Sequence, residues 1–123
     1  PVVSQWAALG AMRVGRSYCD ERLAETREIR AILLKELATI QDLVTIPRAE
    51  GAFYVLLRVR TEMAPMHLAQ RLIEEHKVAV IPGETFGVRD ECLLRVAYGA
   101  LRKDTAAEGI GRLVRGLRRI LAA

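Results

Sequence analysis

The chain has 123 residues, of which 51% are hydrophobic, so it is large and apolar enough to form one compact domain or a substantial part of one. Its 19 basic and 15 acidic residues give a net charge of +4. No apolar stretch has the length of a transmembrane helix, and no signal-peptide pattern opens the chain. We therefore expect a cytoplasmic protein that does not contact membranes.

Two further function classes are disfavoured by composition. The two cysteines, Cys19 and Cys92, lack the spacing of a metal-binding or redox pair, and only two histidines are present, so we expect no metal site. Nucleic-acid binding is also not favoured, because only 5% of residues are aromatic and no basic strand carries aromatics for base stacking. The arginines of the last segment alternate with apolar residues, as on the solvent face of an amphipathic helix.

Two helices are predicted first along the chain. Residues 4–12 form a short apolar helix for which Ser4 is the candidate N-cap, and Gly15 ends it. Residues 18–38 form a long helix with charges on its other faces, roughly 30 Å in length at the usual rise per residue. Its apolar stripe has helical spacing and comprises Ile29, Leu33, Leu37 and Ile40.

The middle of the chain alternates predicted strands and a helix. Residues 52–59 are aromatic and β-branched, which predicts a strand. Residues 64–76 have helical period, with Pro65 in the first turn. The apolar stripe of this helix comprises Leu68, Ala69, Leu72 and Ile73. Residues 78–81 predict a short buried strand that ends at Pro82-Gly83, and residues 92–98 predict a third strand.

A last helix and the element order complete the predicted architecture. Thr105 and Glu108 have the spacing of a capping box, which predicts the start of an amphipathic helix that runs to the C-terminus. The order predicts an α/β (α+β-like) fold: a small sheet of about three strands with helices packed on one face, preceded by a long helix.

Arg95 is the sharpest chemical signal, because it lies inside an apolar strand. Alternation along that strand puts Leu93, Arg95 and Ala97 on one face. A buried guanidinium needs an anionic partner, because its desolvation is costly. The partner could be internal, through a salt bridge to Glu84, Asp90 or Glu91, or the strand could lie at an edge where Arg95 reaches water. Alternatively, the arginine could bind the carboxylate of a ligand in bidentate fashion.

The loop of residues 82–87 lies beside this strand in the sequence. Its two glycines allow close approach of backbone to a ligand, and Pro82 stiffens the turn. Phe86 could form a wall of a pocket or simply seal the core. No lysine has the buried setting of a Schiff-base residue, and no serine or threonine has the context of a nucleophile. The residues alone therefore predict no complete catalytic apparatus in this chain.

Several segments, taken in order, resemble the C-terminal part of class I and II aminotransferases, the fold-type-I enzymes that use pyridoxal 5'-phosphate. They are "EGAFYVLLRV" (50–59), "VAVIPGETFG" (78–87), "LLRVAYGA" (93–100) and the closing "GIGRLVRGLRRIL" (109–121). The opening "VVSQWAALGAM" (2–12) is similar to the segment that follows the family's catalytic lysine. The resemblance covers nearly the whole chain.

The resemblance implies a role for each candidate residue. It implies that Arg95 binds the α-carboxylate of an amino-acid substrate, and that Phe86 and Gly87 line the edge of the small domain that closes over it. It further implies an amino acid and a 2-oxo acid as substrates, a homodimer, and a long helix that connects two domains. By the same resemblance, residues 1–38 hold this connecting helix together with the end of a large domain, and residues 39–123 form a small domain. The cofactor-binding residues and the Schiff-base lysine of the family lie upstream of the matching region. We therefore expect a fragment of a longer enzyme in which pyridoxal phosphate is held mainly outside this chain, and which is inactive alone.

Three alternatives remain at this point. The parent could be another fold-type-I enzyme, such as a lyase or a decarboxylase. It could be a transcription regulator in which an aminotransferase-like domain senses a ligand. The chain could also be a free-standing α/β binding module. If it is a fragment, its first helices should expose apolar surface.

Overall fold

The computed structural model describes residues 1–99 and 101–122. Ala100, the last residue of the "LLRVAYGA" segment, and Ala123, the last residue of the predicted small domain, lie outside the described residues. The described elements are, in chain order, α1 (Val2–Val14), α2 (Arg16–Ala38), β1 (Val44–Thr45), β2 (Tyr54–Val59), α3 (Pro65–His76), β3 (Ile81–Pro82), β4 (Leu93–Ala97) and α4 (Lys103–Leu121). A short 3₁₀ helix, Gly83–Phe86, directly follows β3.

The sheet has the strand order β1-β2-β4-β3, and each neighbouring pair is antiparallel. Strand β4 is therefore an interior strand. In its register Arg95 lies opposite Leu56 of β2 on one side and Ile81 of β3 on the other. Because directly opposed residues point to the same face of an antiparallel pair, these three side chains share one face of the sheet.

The other face of the sheet forms the core with the helices. Val55, Leu57 and Val59 of β2 and Leu94 and Val96 of β4 are buried there. They belong to one hydrophobic cluster with residues of α2, α3 and α4. The predicted α/β class, with helices packed on one face of a small sheet, is confirmed. No described α-helix covers the face that carries Arg95, and Tyr54 and Arg58 of β2 are exposed on that face.

Helix α2 has two different halves. Its buried residues, Ile29, Leu33 and Leu37, all lie in the second half and pack into the core. Helix α1 has no buried residue, and large apolar side chains are exposed along α1 and the start of α2: Val2, Val3, Trp6, Leu9, Met12, Val14, Tyr18 and Leu23. This is the exposure that a fragment predicts. No described helix is both long and apolar enough to cross a membrane.

The helix starts differ from the predicted caps. Helix α1 begins at Val2, so Ser4 lies inside it and is not the N-cap, while Gly15 does end it. Helix α4 begins at Lys103, two residues before the predicted capping box. The hydroxyl of Thr105 donates to the carbonyl of Arg102 (3.0 Å) instead of capping the helix. In both helices the first turn begins before the predicted capping residue, because the residues that precede Ser4 and Thr105 also have helical geometry.

Two strand predictions were inaccurate. A strand was predicted over residues 78–81. The observed strand, β3, comprises only Ile81–Pro82, so it is shorter than predicted and begins later in the chain. Strand β1 was not predicted at all, since Val44–Thr45 is too short to show alternation, and the sheet therefore has four strands instead of about three. Within α3, Ile73 is 47% exposed and does not join the predicted buried stripe.

Candidate functional site

Arg95 lies between two aromatic rings. Its side chain projects from β4 on the face without helices and is half-buried. The guanidinium carbon is 4.7 Å from the centre of the Tyr54 ring and 5.2 Å from the centre of the Phe86 ring. Both distances are those of cation–π contacts, which stabilise a cation through the negative face of the ring.

Arg95 is neither in an internal salt bridge with a described residue nor on an edge strand. Strand β4 is interior to the sheet, so Arg95 is not on an edge strand. Among residues 1–99 and 101–122, Arg95 forms no ion pair, and Glu91 instead pairs with Arg58 (2.8 Å). The Nε atom of Arg95 is fully enclosed and has no hydrogen-bond acceptor in the described structure. The cation is therefore held without an anionic partner from the part of the chain that the structure describes.

A pocket of about 210 Å³ opens at this arginine. It is lined by Tyr54, Leu56, Gly83, Phe86, Val88 and Arg95. Arg95 supplies the charge of this lining, and the other side chains give mostly apolar walls. Such a site suits an anionic group attached to an apolar body, since a hydrogen bond to a charged partner contributes roughly 1.5–3 kcal/mol and apolar walls reduce competition from water.

The backbone between β3 and β4 positions Phe86 over Arg95. After Pro82, the 3₁₀ helix turns the chain across β4 and ends at Gly87, which has the left-handed φ of 86°. A β-carbon on Gly83 would lie 2.7 Å from the Cβ atom of Leu93, so only glycine allows this approach. The 3₁₀ helix thus lies against β4 and buries Leu93, which is on the face that no described α-helix covers.

The predicted site residues are partly brought together. Arg95 and Phe86 are in contact and line the pocket. Gly87 is adjacent in the chain but does not line it, and its role in binding stays a prediction. Tyr54 and Leu56 were missed, because strand alternation put them on the same face as Arg58 but could not reveal which residue of β4 they would oppose.

The described lysines do not have the setting of the residue that forms an imine with pyridoxal phosphate. An imine-forming lysine needs a depressed pKa, but the Glu28 carboxylate bonds to Lys103 (2.8 Å) and raises the pKa of that lysine. The Nζ atom of Lys77 donates to the carbonyl of Glu74 (2.7 Å), and Lys35 is exposed on α2. Nor do residues 1–99 and 101–122 contain a cluster of three potential metal ligands.

Comparison with known proteins identifies the family. The model of the family described as "Aminotransferase class I and II" matches residues 1–113. An aspartate aminotransferase of Pyrococcus horikoshii is 31% identical over 116 residues, which are 92% of this chain and 29% of that protein. The chain thus spans less than a third of this relative's length.

Solved structures agree with the family match. An aromatic aminotransferase from Pyrococcus horikoshii superposes with a TM-score of 0.81 at 27% identity, over 97% of this chain and 32% of that one. An aspartate aminotransferase from Thermotoga maritima gives a TM-score of 0.78 at 28% identity, over 94% and 28% of the two chains. The chain therefore belongs to the class I and II aminotransferase family.

Proposed function

We propose that this chain is part of an aminotransferase that moves an amino group from an amino acid to a 2-oxo acid, and that Arg95 binds the substrate carboxylate. One observation supports this proposal more strongly than the others. The guanidinium is half-buried beside a pocket and has no anionic partner among the described residues. Burial of an unpaired cation is costly, so an external anion is the expected partner.

The planar shape of the guanidinium supports a role in orientation as well as in binding. A planar guanidinium can hold a carboxylate through two parallel hydrogen bonds, which fixes the direction of the bound amino acid. Fixing the reacting groups in one geometry removes much of the entropic part of a barrier. Phe86 lines the pocket and is itself exposed, and we propose that the loop through Gly87 lines the edge that closes over the substrate and excludes water.

Pyridoxal phosphate supplies the electron sink in enzymes of this kind. Since none of the described lysines has the setting of an imine-forming residue, we propose that the cofactor is bound mainly by parts of a longer protein outside this chain. The exposed apolar side chains of α1 support this view, because a surface of this kind is normally covered by another part of a protein. A homodimer and a cytoplasmic location belong to the same proposal and rest on the family alone.

The experiment measures steady-state kinetics of the longer enzyme that carries this chain, with and without Arg95→Ala. We expect the variant to raise KM for amino acids and to lower kcat/KM at least a hundredfold, about 2.7 kcal/mol of transition-state stabilisation. Arg58→Ala is the matched control, because Arg58 lies on the same face of the sheet but is already paired with Glu91. Unchanged kinetics of Arg95→Ala would refute the role.

Product analysis in the same experiment separates the alternative activities. An aminotransferase converts the 2-oxo acid into the matching amino acid in equal amount to the amino acid that is consumed. A lyase or decarboxylase would consume the amino acid without forming that second amino acid. A ligand-sensing domain would bind the amino acid without turnover.

A further inference from the structure

We infer that Tyr54 and Phe86 are positioning residues that hold the Arg95 guanidinium between their rings, so that its donors stay free for the substrate carboxylate. This inference rests on the proposed function and deepens it by assigning the residues that prepare the arginine. The two contacts are 4.7 Å and 5.2 Å from the guanidinium carbon to the ring centres.

The two rings come from independent elements of the fold. Tyr54 lies on β2 opposite Ala97, and Leu56 lies opposite Arg95, so Tyr54 is the diagonal neighbour of Arg95 on the same face of the sheet. Diagonal neighbours are within reach of aromatic and long side chains. Phe86 ends the 3₁₀ helix that lies across β4. Tyr54 also contacts Phe53 in an edge-to-face arrangement. The centres of the two rings are 5.7 Å apart, and the planes of the rings are 89° to each other.

Rings hold a cation in a way that a carboxylate does not. A protein carboxylate would occupy the hydrogen-bond donors of the guanidinium and neutralise its charge, and a substrate would then have to displace it. Aromatic faces attract the cation without accepting those in-plane hydrogen bonds. Arg95 fits this description, since it has no ion pair and no side-chain hydrogen bond among the described residues.

The orientation of the arginine follows from which of its atoms are enclosed. Nε is buried without an acceptor, whereas neither terminal nitrogen is both buried and unpaired in the described structure. The terminal nitrogens are thus the part of the group that remains accessible at the pocket, which Arg95 and both rings line. Without the rings, the long side chain could leave this orientation, since no ion pair or side-chain hydrogen bond to the described residues restrains its end.

The test uses Tyr54→Leu and Phe86→Leu in the enzyme that carries this chain, with Tyr54→Phe as the conservative variant. We expect each leucine variant to raise KM for amino acids and the inhibition constant of a simple monocarboxylate such as acetate roughly tenfold, with a smaller change in kcat. Tyr54→Phe keeps the aromatic face and should stay within about threefold of the wild type. A merely structural role of the ring would instead lower kcat and the melting temperature of the enzyme together with acetate binding. A loss that Tyr54→Phe shares would assign the effect to the hydroxyl. Either result would overturn the inference.

A second readout does not depend on activity and uses the 123-residue chain. The Nε–H signal of Arg95 in a proton–nitrogen NMR spectrum should be shifted by the ring currents of both aromatics, and each leucine variant should remove part of that shift. An unshifted signal in the wild-type chain, or leucine variants that bind acetate as well as the wild type, would overturn the inference. Arg95→Ala separates this inference from the proposed function. If Arg95→Ala also leaves acetate inhibition unchanged, the proposed function itself fails. If only Arg95→Ala weakens acetate inhibition and the leucine variants do not, the role of the rings fails and the proposed function stands.

Discussion

Gly83 and Leu93 lie so close together that a β-carbon on the glycine would be 2.7 Å from Cβ and 3.2 Å from the carbonyl oxygen of Leu93. This contact sets the position of the 3₁₀ helix on β4. Because the same helix carries Phe86 at its end, the contact also sets the distance between Phe86 and Arg95. A packing requirement in the backbone is thus linked to the geometry of the pocket.

Gly83→Ala is expected to lower the free energy of unfolding by about 1–3 kcal/mol, because the added methyl group has to push the 3₁₀ helix away from β4. The measurement is chemical denaturation of the chain followed by circular dichroism. Gly51→Ala is the control, since a β-carbon on Gly51 would meet no atom within 4 Å. Equal stabilities of the two variants would contradict the close contact.

Gly87 tests the backbone of the same loop. Its φ of 86° lies in the left-handed region, which costs other L-residues roughly 1–2 kcal/mol, although space around it is open. We expect Gly87→Ala to lower the melting temperature, and Gly87→Asn to lower it less, because asparagine tolerates this conformation better. The prediction fails if the melting temperature of Gly87→Ala is equal to that of Gly87→Asn.

The two thiols should differ in reactivity. Cys19 is exposed, whereas Cys92 is buried and burial raises its pKa to about 11. Because the thiolate is the nucleophile, a maleimide at pH 8 should label Cys19 quickly and Cys92 only after unfolding. Mass spectrometry of the labelled and digested chain measures the extent of labelling at each cysteine. Rapid labelling of Cys92 in the folded chain would show that it is not buried.

The raised pKa of Cys92 also has a consequence for stability. An unfolded thiol loses its proton near pH 9, so the contribution of Cys92 is complete below that pH and is lost as pH rises toward about 11. The slope from this group cannot exceed about 1.4 kcal/mol per pH unit. Denaturation of the wild type and of Cys92→Ala between pH 8 and 11 measures it. The wild type should lose more stability over this range than the variant, and parallel curves would contradict the prediction.

The exposed apolar side chains of α1 should make the isolated chain associate. Trp6 is 65% exposed and lies among Val2, Val3 and Leu9, all of which are exposed as well. We expect concentration-dependent association in sedimentation velocity, and Trp6→Ser should reduce it while Gln5→Ser on the same helix should not. A chain that stays monomeric at high concentration would contradict this expectation.

Much of the fold could be predicted from local patterns. The stripe Ile29, Leu33 and Leu37 predicted the buried side of α2, and alternation correctly put Arg95 on the opposite face from Leu94 and Val96. The errors occurred where local signals are weak. Strand β1 has two residues and depends on pairing with Val59 and Arg58, which no local pattern reveals.

The candidate site could be predicted only in part, for a related reason. The unusual position of Arg95 was visible in the sequence, and Phe86 lay in a loop that its glycines marked. Tyr54 became a neighbour of Arg95 only through the register between β2 and β4. Register is a property of the folded sheet, since a shift by one residue would move Tyr54 to the other face. That Arg95 has no anionic partner among the described residues likewise depends on the pairing of Glu91 with Arg58, which a sequence does not determine.

The central claim is that Arg95 binds the carboxylate of an amino-acid substrate. The most direct measurement compares kcat/KM for an amino acid and for its carboxamide in the enzyme that carries this chain, each with wild-type Arg95 and with Arg95→Ala. If Arg95 binds the carboxylate, the variant should lose at least a hundredfold with the amino acid and little with the carboxamide, a coupling of about 2.7 kcal/mol. An equal loss with both substrates would contradict the claim, because the effect of Arg95 would then not depend on the carboxylate.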